Sequence, residues 1–175
     1  LQEVSVGSRR GQTNALGQSV IVSSSNNGEL AQLGYRNSAL TNAAGFHSDG
    51  DINVRATDSV FVATDLAFDP VLAHAMIGHG GNNDGNGNLN GGGPINRRAG
   101  SGSIGGNINV LAAGGLLIRG SDDQSFAQIG HGGRFVNGLK GVDMNGNSKG
   151  NIVVEAGTII MKAANAQDKD FRNHS

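Results

Sequence analysis

One short phrase recurs along this chain, and the recurrence limits the folds open to it. Three segments end alike: Ala31-Gln32-Leu33-Gly34-Tyr35, Ala75-Met76-Ile77-Gly78-His79-Gly80-Gly81 and Ala127-Gln128-Ile129-Gly130-His131-Gly132-Gly133. Three begin alike: Gly50-Asp51-Ile52-Asn53-Val54, Gly106-Asn107-Ile108-Asn109-Val110 and Gly150-Asn151-Ile152-Val153-Val154. Each beginning is followed by a second apolar run, Val60-Phe61-Val62, Leu116-Leu117-Ile118 or Ile159-Ile160-Met161. The first stretch reads the same way, with Val4 and Val6 as its opening pair and Val20-Ile21-Val22 as its second run. Such self-similarity is the signature of units that bury their apolar faces only by stacking on one another.

Within each unit the apolar residues alternate, which is the period of strands and not of helices. Strands this short bury little alone, whereas equivalent strands stacked about 4.8 Å apart bury a common face. The expected inward rows are Val4, Ile52, Ile108, Ile152; Val6, Val54, Val110, Val154; Val20, Val60, Leu116, Ile159; and Val22, Val62, Ile118, Met161. Leu33, Ile77, Ile129 and Ala31, Ala75, Ala127 make two more. The pattern predicts an all-β solenoid of about four coils, at residues 1–35, 50–81, 106–133 and 150–168. Long polar loops, 36–49, 82–105 and 134–149, are inserted between them, and the whole of 1–175 is one segment. A sandwich of antiparallel strands fits the strand lengths but not the recurrence of one unit with inserts at one place.

Composition agrees. The 175 residues include 30 Gly but only 6 Phe, 1 Tyr and no Trp. Glycine, with Asn and Asp, takes the tight turns that such a stack needs. A formal net charge of −1 offers no electrostatic footprint for nucleic acid. Arg9-Arg10 and Arg97-Arg98, the only dense basic spots, read as loop residues. No apolar run approaches the roughly 20 residues of a membrane-spanning helix. The chain starts at Leu1 directly in a strand-like pattern, without a signal peptide, which points to an interior fragment or a processed product. The absence of Cys is compatible with export.

The GNIxVxAxGxIxI pattern followed by AQIGHGG, best seen between residues 50 and 163, resembles repeats of filamentous-haemagglutinin-like exoproteins and other very large bacterial surface adhesins. Its most specific element is the IGHGG ending at Ile77–Gly81 and Ile129–Gly133. The first unit departs from it, with Leu33-Gly34-Tyr35-Arg36 at that place. The resemblance implies a right-handed parallel β-helix, secreted or held at the cell surface, serving as a rigid stalk, adhesin or filament.

Two groups of residues invite a metal reading. His79 and His131 hold the same repeat position and should stack, with Tyr35 in the row; histidine is a common ligand. No Cys, Asp or Glu in the motif completes a shell, so a ring nitrogen capping a turn carbonyl is the plainer role. Asn82-Asn83-Asp84-Gly85-Asn86-Gly87-Asn88-Leu89 opens like a Ca²⁺ loop, but Gly93 stands where the bidentate acid belongs. Its ligands would be Asn82, Asp84 and Asn86, mostly amides, suited at most to low-affinity Ca²⁺ binding. Asp143 to Gly150 is a poorer match. No cofactor is expected.

No catalytic residue is assigned. Asp51, Asp58, Asp65 and Glu155 are isolated, and no acidic position repeats. The reading is therefore a structural or adhesive repeat segment of a large extracellular or cell-surface protein, not an enzyme. Open strands at its ends would meet more coils of a longer parent chain or another copy head to tail, building a filament. The inserts would contact surface glycans or proteins of host or neighbouring cells. A carbohydrate-binding or carbohydrate-processing β-helix is the alternative.

Overall fold

The computed structural model describes residues 3–8, 10–25, 29–35, 47–64, 73–79, 103–120, 125–131 and 150–162. Twelve strands fill most of this: β1 (Glu3–Val6), β2 (Thr13–Gly17), β3 (Val20–Ser24), β4 (Leu30–Leu33), β5 (His47–Ser48), β6 (Ile52–Ala56), β7 (Val60–Thr64), β8 (His74–Ile77), β9 (Ser103–Ile104), β10 (Ile108–Arg119), β11 (Phe126–Ile129) and β12 (Ile152–Lys162). Every pairing among them is parallel.

The strands form three sheets. The first has the order β1-β4-β8-β11; the second runs β2-β6-β10-β7-β3, with β12 also paired to β10. The third joins β5 to β9, so His47–Ser48 and Ser103–Ile104 run side by side shortly before Gly50 and Gly106. The core lies between the first two sheets: Leu33, Ala75 and Ile77 face Val22, Ile52, Val54, Val60, Val62, Ile108, Val110 and Leu116.

This corrects the expected right-handed parallel β-helix of about four coils with loops inserted between them. The fold is all-β and parallel, but its first sheet is a curled half-barrel in which each neighbour is reached by a crossover. The second sheet is not two separate walls either. β10 is unbroken from Ile108 to Arg119 and pairs with β6 along its first part and β7 along its second. The physical reason lies at one turn. Thr57 and Asp58 bend the chain between β6 and β7, held by bonds from their amides to the carbonyls of Gly17 and Gln18. At the matching place β10 continues as strand through Ala113-Gly114-Gly115, with a shift in its register to β12. A β-carbon on Gly114 would meet the Asp58 carbonyl and carboxylate, so glycine lets β10 pass across that bend.

A second correction concerns the opening pair. β1, carrying Val4 and Val6, belongs to the first sheet, with Val4 opposite Ala31 and Val6 opposite Leu33. The partners of Ile52 and Val54 are Thr13 and Ala15. Thr13 is buried, and its hydroxyl accepts the Ser8 amide at 2.9 Å. The other rows pair as the repeat spells them: Val20, Val60, Leu116, Ile159 and Val22, Val62, Ile118, Met161 in one sheet, Ala31, Ala75, Ala127 and Leu33, Ile77, Ile129 in the other.

Two columns of glycine set how closely successive units approach. In the second sheet a β-carbon on Gly50 would fall on the Gly11 carbonyl, one on Gly106 on the Gly50 carbonyl, and one on Gly150 on the Gly106 carbonyl. Gly106 and Gly150 also hold φ of 100° and 106°, a region costly for other residues. In the first sheet Gly7, Gly34, Gly78 and Gly130 make the matching column.

Gly106→Ala should therefore destabilise the protein by on the order of 2 kcal/mol or more. Gly115→Ala, whose β-carbon would have no neighbour nearer than 3.9 Å, should be close to neutral. Urea unfolding of the two variants beside the wild type checks the contrast; equal losses would refute the close-approach account.

Candidate functional site

The repeated histidines sit where the first sheet hands the chain on. β8 ends at Ile77 and β11 at Ile129, and Gly78 and Gly130 turn each chain so that the next side chain points inward. The Gly78 and Gly130 amides bond back to the carbonyls of Leu33 and Ile77 at 2.9 Å. His79 and His131 are consequently buried at the seam between the sheets. Their rings lie 5.2 Å apart and within 5° of parallel.

Each ring has both nitrogens committed. Nδ1 of His79 accepts the Tyr35 amide at 2.9 Å, and Nδ1 of His131 accepts the His79 amide at 3.0 Å. An accepting Nδ1 leaves the proton on Nε2. The Nε2–H of His79 donates to the Gly50 carbonyl, and that of His131 to the Gly106 carbonyl at 3.0 Å. Gly50 and Gly106 open the same units that His79 and His131 close. One ring thus joins the end of its unit to its beginning and ties that unit to the preceding one.

This geometry bears on the metal reading. A cation at Nδ1 would displace a backbone donor, and one at Nε2 would displace the proton that a carbonyl holds. Among the described residues no group of three or more His, Asp or Glu could hold a metal ion. Asn82, Asp84 and Asn86, the candidate Ca²⁺ ligands, lie outside the described residues, as does nearly all of Asp143 to Gly150.

Polar rows missed in the sequence run beside the glycines. Asn53 donates to the Asn14 side-chain oxygen at 3.0 Å, and Asn109 to that of Asn53 at 2.9 Å. Asp51 accepts the Asn107 amide at 2.8 Å and its side chain at 3.0 Å, and Asn107 accepts the Asn151 amide at 3.0 Å. Stacked amides of this kind stiffen a parallel stack along its axis. The signal was partly legible: the second letter of the opening is Asp51, Asn107 or Asn151, and the fourth is Asn53 and Asn109 before it changes to Val153. Asn14 within Thr13-Asn14-Ala15 would also have placed β2 correctly.

Comparison with protein-family models, with curated proteins and with solved structures found no match.

Burial holds both rings below the ordinary histidine range, since a charged imidazole loses water there without gaining a partner. For His79 the Gly50 carbonyl and the charges of Asp49 and Asp51 oppose this in part. For His131 burial is opposed by the Gly106 carbonyl and reinforced by the neighbouring His79, leaving a pKa of about 4. Between pH 6.5 and 4 the unfolded chain binds protons that the folded chain refuses, so stability is full above pH 6.5 and declines as the pH falls towards 4. For His131 the loss is about 3 kcal/mol. Urea titrations at pH 7.5, 6 and 4.5 should show that slope. His131→Phe should flatten it while lowering stability at pH 7.5 by on the order of 2 kcal/mol, because the buried His79 amide loses its acceptor.

Proposed function

We propose that this chain is a structural and adhesive repeat segment of a large extracellular or cell-surface protein, with its inserts as the contacting surface. The observation that carries the reading is the division of labour across the stack. Inward positions are locked from unit to unit by apolar rows, glycine columns and histidine bonds. One outward row on the same strands, Leu16, Arg55, Leu111 and Glu155, keeps neither charge nor shape. A fixed inside that carries a variable outward row suits display better than chemistry. The inserts 36–49, 82–105 and 134–149 leave and rejoin it at one recurrent place, just before the glycine column. The IGHGG-type resemblance to surface adhesins agrees with this reading.

The test is binding. Beads coated with the protein should adhere to arrayed glycans or to cell surfaces. Replacing 82–105 by a Gly-Ser linker should lower adhesion at least about tenfold while the far-UV circular dichroism is kept, as expected where recognition sits on loops over a rigid scaffold. Adhesion unchanged by replacing each insert in turn would overturn the proposal. Cleavage of a glycan by the protein would replace it with the carbohydrate-processing alternative.

A further inference from the structure

The two ends of the stack are unlike, and each is shaped to receive the other. At the end formed by β2 and β3, the first sheet extends one strand further, through β1 on β4. At the opposite end the second sheet extends one strand further, through β12 on β10, while among the described residues the first sheet stops at β11. Among the described residues, a ledge in one sheet at one end thus matches a recess in the same sheet at the other.

Three further observations bear on what fills these steps. Among the described residues none lies beyond the inward face of β12: Ile152 and Ile159 are 49% exposed, although their rows are buried one strand earlier at Ile108 and Leu116, and Met161 is 74% exposed. At the β2–β3 end the core opens into an apolar cavity of about 310 Å³ lined by Val6, Ala15, Val20, Val22, Leu30 and Leu33 among others. Ala15, Val20 and Val22 head the rows that Val154, Ile159 and Met161 finish. The glycine columns add a third sign. Every β-carbon position in the second-sheet column points at the carbonyl of the unit before it, yet at Gly11 it meets, among the described residues, the Ser8 side chain alone. Gly11 has no positive φ, so its own conformation does not call for glycine. In the first sheet the direction is reversed: Gly34 and Gly78 point at the unit after, and Gly130 meets only the Gln128 side chain. Both columns therefore finish on a glycine with room for a backbone that the described residues do not supply.

We infer that a second copy of this chain docks head to tail, its β2 and β3 continuing the sheet from β12 and its β1 filling the recess beside β11. This rests on the structural reading proposed above and specifies its partner and register. Ile152 of one copy comes opposite Thr13 of the next, Ile160 opposite Ile21 and Met161 opposite Val22. Gly11 then receives the Gly150 carbonyl of its neighbour, and Gly130 receives the backbone at Gly7. Among the strand residues that pair in this register, no charged residue faces another. Apolar surface of Ile152, Ile159 and Met161 closes the cavity, and the edge strands gain ladder partners of the kind open edges recruit.

The chain has no cysteine, so single cysteines report on the joint alone. Ile21 is 67% exposed and Ile160 is 43% exposed, so replacing either leaves the core intact. Parallel partners about 4.8 Å apart lie within disulfide range. Mixed Ile21→Cys and Ile160→Cys chains should form a heterodimer on oxidation at least about tenfold faster than Ile21→Cys mixed with Ile159→Cys, which is one residue out of register. They should also outpace either chain alone. The wild type should sediment as concentration-dependent oligomers, and Met161→Lys should remain monomeric with an unchanged circular dichroism spectrum and Tm.

Equal rates for the two mixtures, faster pairing of the Ile21→Cys chain with itself, or a wild type that stays monomeric at every concentration would overturn the inference; the last would assign this end to a different occupant. In-register cross-linking without adhesion would sink only the adhesive reading. Adhesion by a protein that cross-links at random would sink only the head-to-tail joint.

Discussion

The carbonyl of one unit occupies the space that a β-carbon of its neighbour would need, and the rest of the stack follows from that approach. It obliges glycine at Gly50, Gly106 and Gly150 in one sheet and at Gly34 and Gly78 in the other. With backbones held this close and in parallel register, identical positions fall on top of one another. A row of aliphatic side chains then needs no large aromatic to fill the core, in keeping with a chain that has no Trp. The same register turns a repeated Asn into a ladder of side-chain amides, because each carboxamide meets its own copy at hydrogen-bonding distance.

Histidine supplies what glycine cannot. Beside a glycine turn, backbone amides and carbonyls are left at the seam where neither sheet reaches them, and buried polar groups without partners are costly. An imidazole accepts on one nitrogen and donates on the other, so a single side chain serves the amide of the preceding unit and the carbonyl that opens its own. His79 and His131 do this in tandem, with rings stacked. The arrangement works only with the rings neutral, and the low-dielectric seam that makes the bonds strong also keeps the proton away. A metal ligand, a titrating group and a structural clasp look alike in a sequence motif; here both ring nitrogens of His79 and His131 hold backbone groups.

Much of this was legible in the letters. The apolar rows from Val20 to Ile159, from Val22 to Met161 and from Leu33 to Ile129 were readable because alternation and repetition act locally. The stacking of His79 on His131 followed from their shared place in the repeat. The opening pair was misread because Val4 and Val6 are the better β formers, while Thr13 and Ala15 are nondescript. Spacing was the truer guide, since Thr13 precedes Val20 by the same interval that separates Ile152 from Ile159. The regular helical coil was also misjudged. Gly114 and Gly115 look like a turn, yet across the Asp58 bend they carry a continuous strand.

The order of letters along the chain decided what repeats, which residues face inward and where glycine must stand, because these depend on neighbours within a few residues and on copies of the same phrase. Tertiary structure decided which sheet β1 joins, that β10 unites β6 with β7, and which backbone groups each histidine holds. Those outcomes depend on strands brought together from distant parts of the chain. Tyr35 and His79, or His131 and Gly106, meet only once the sheets have closed around them, and no local pattern records that encounter.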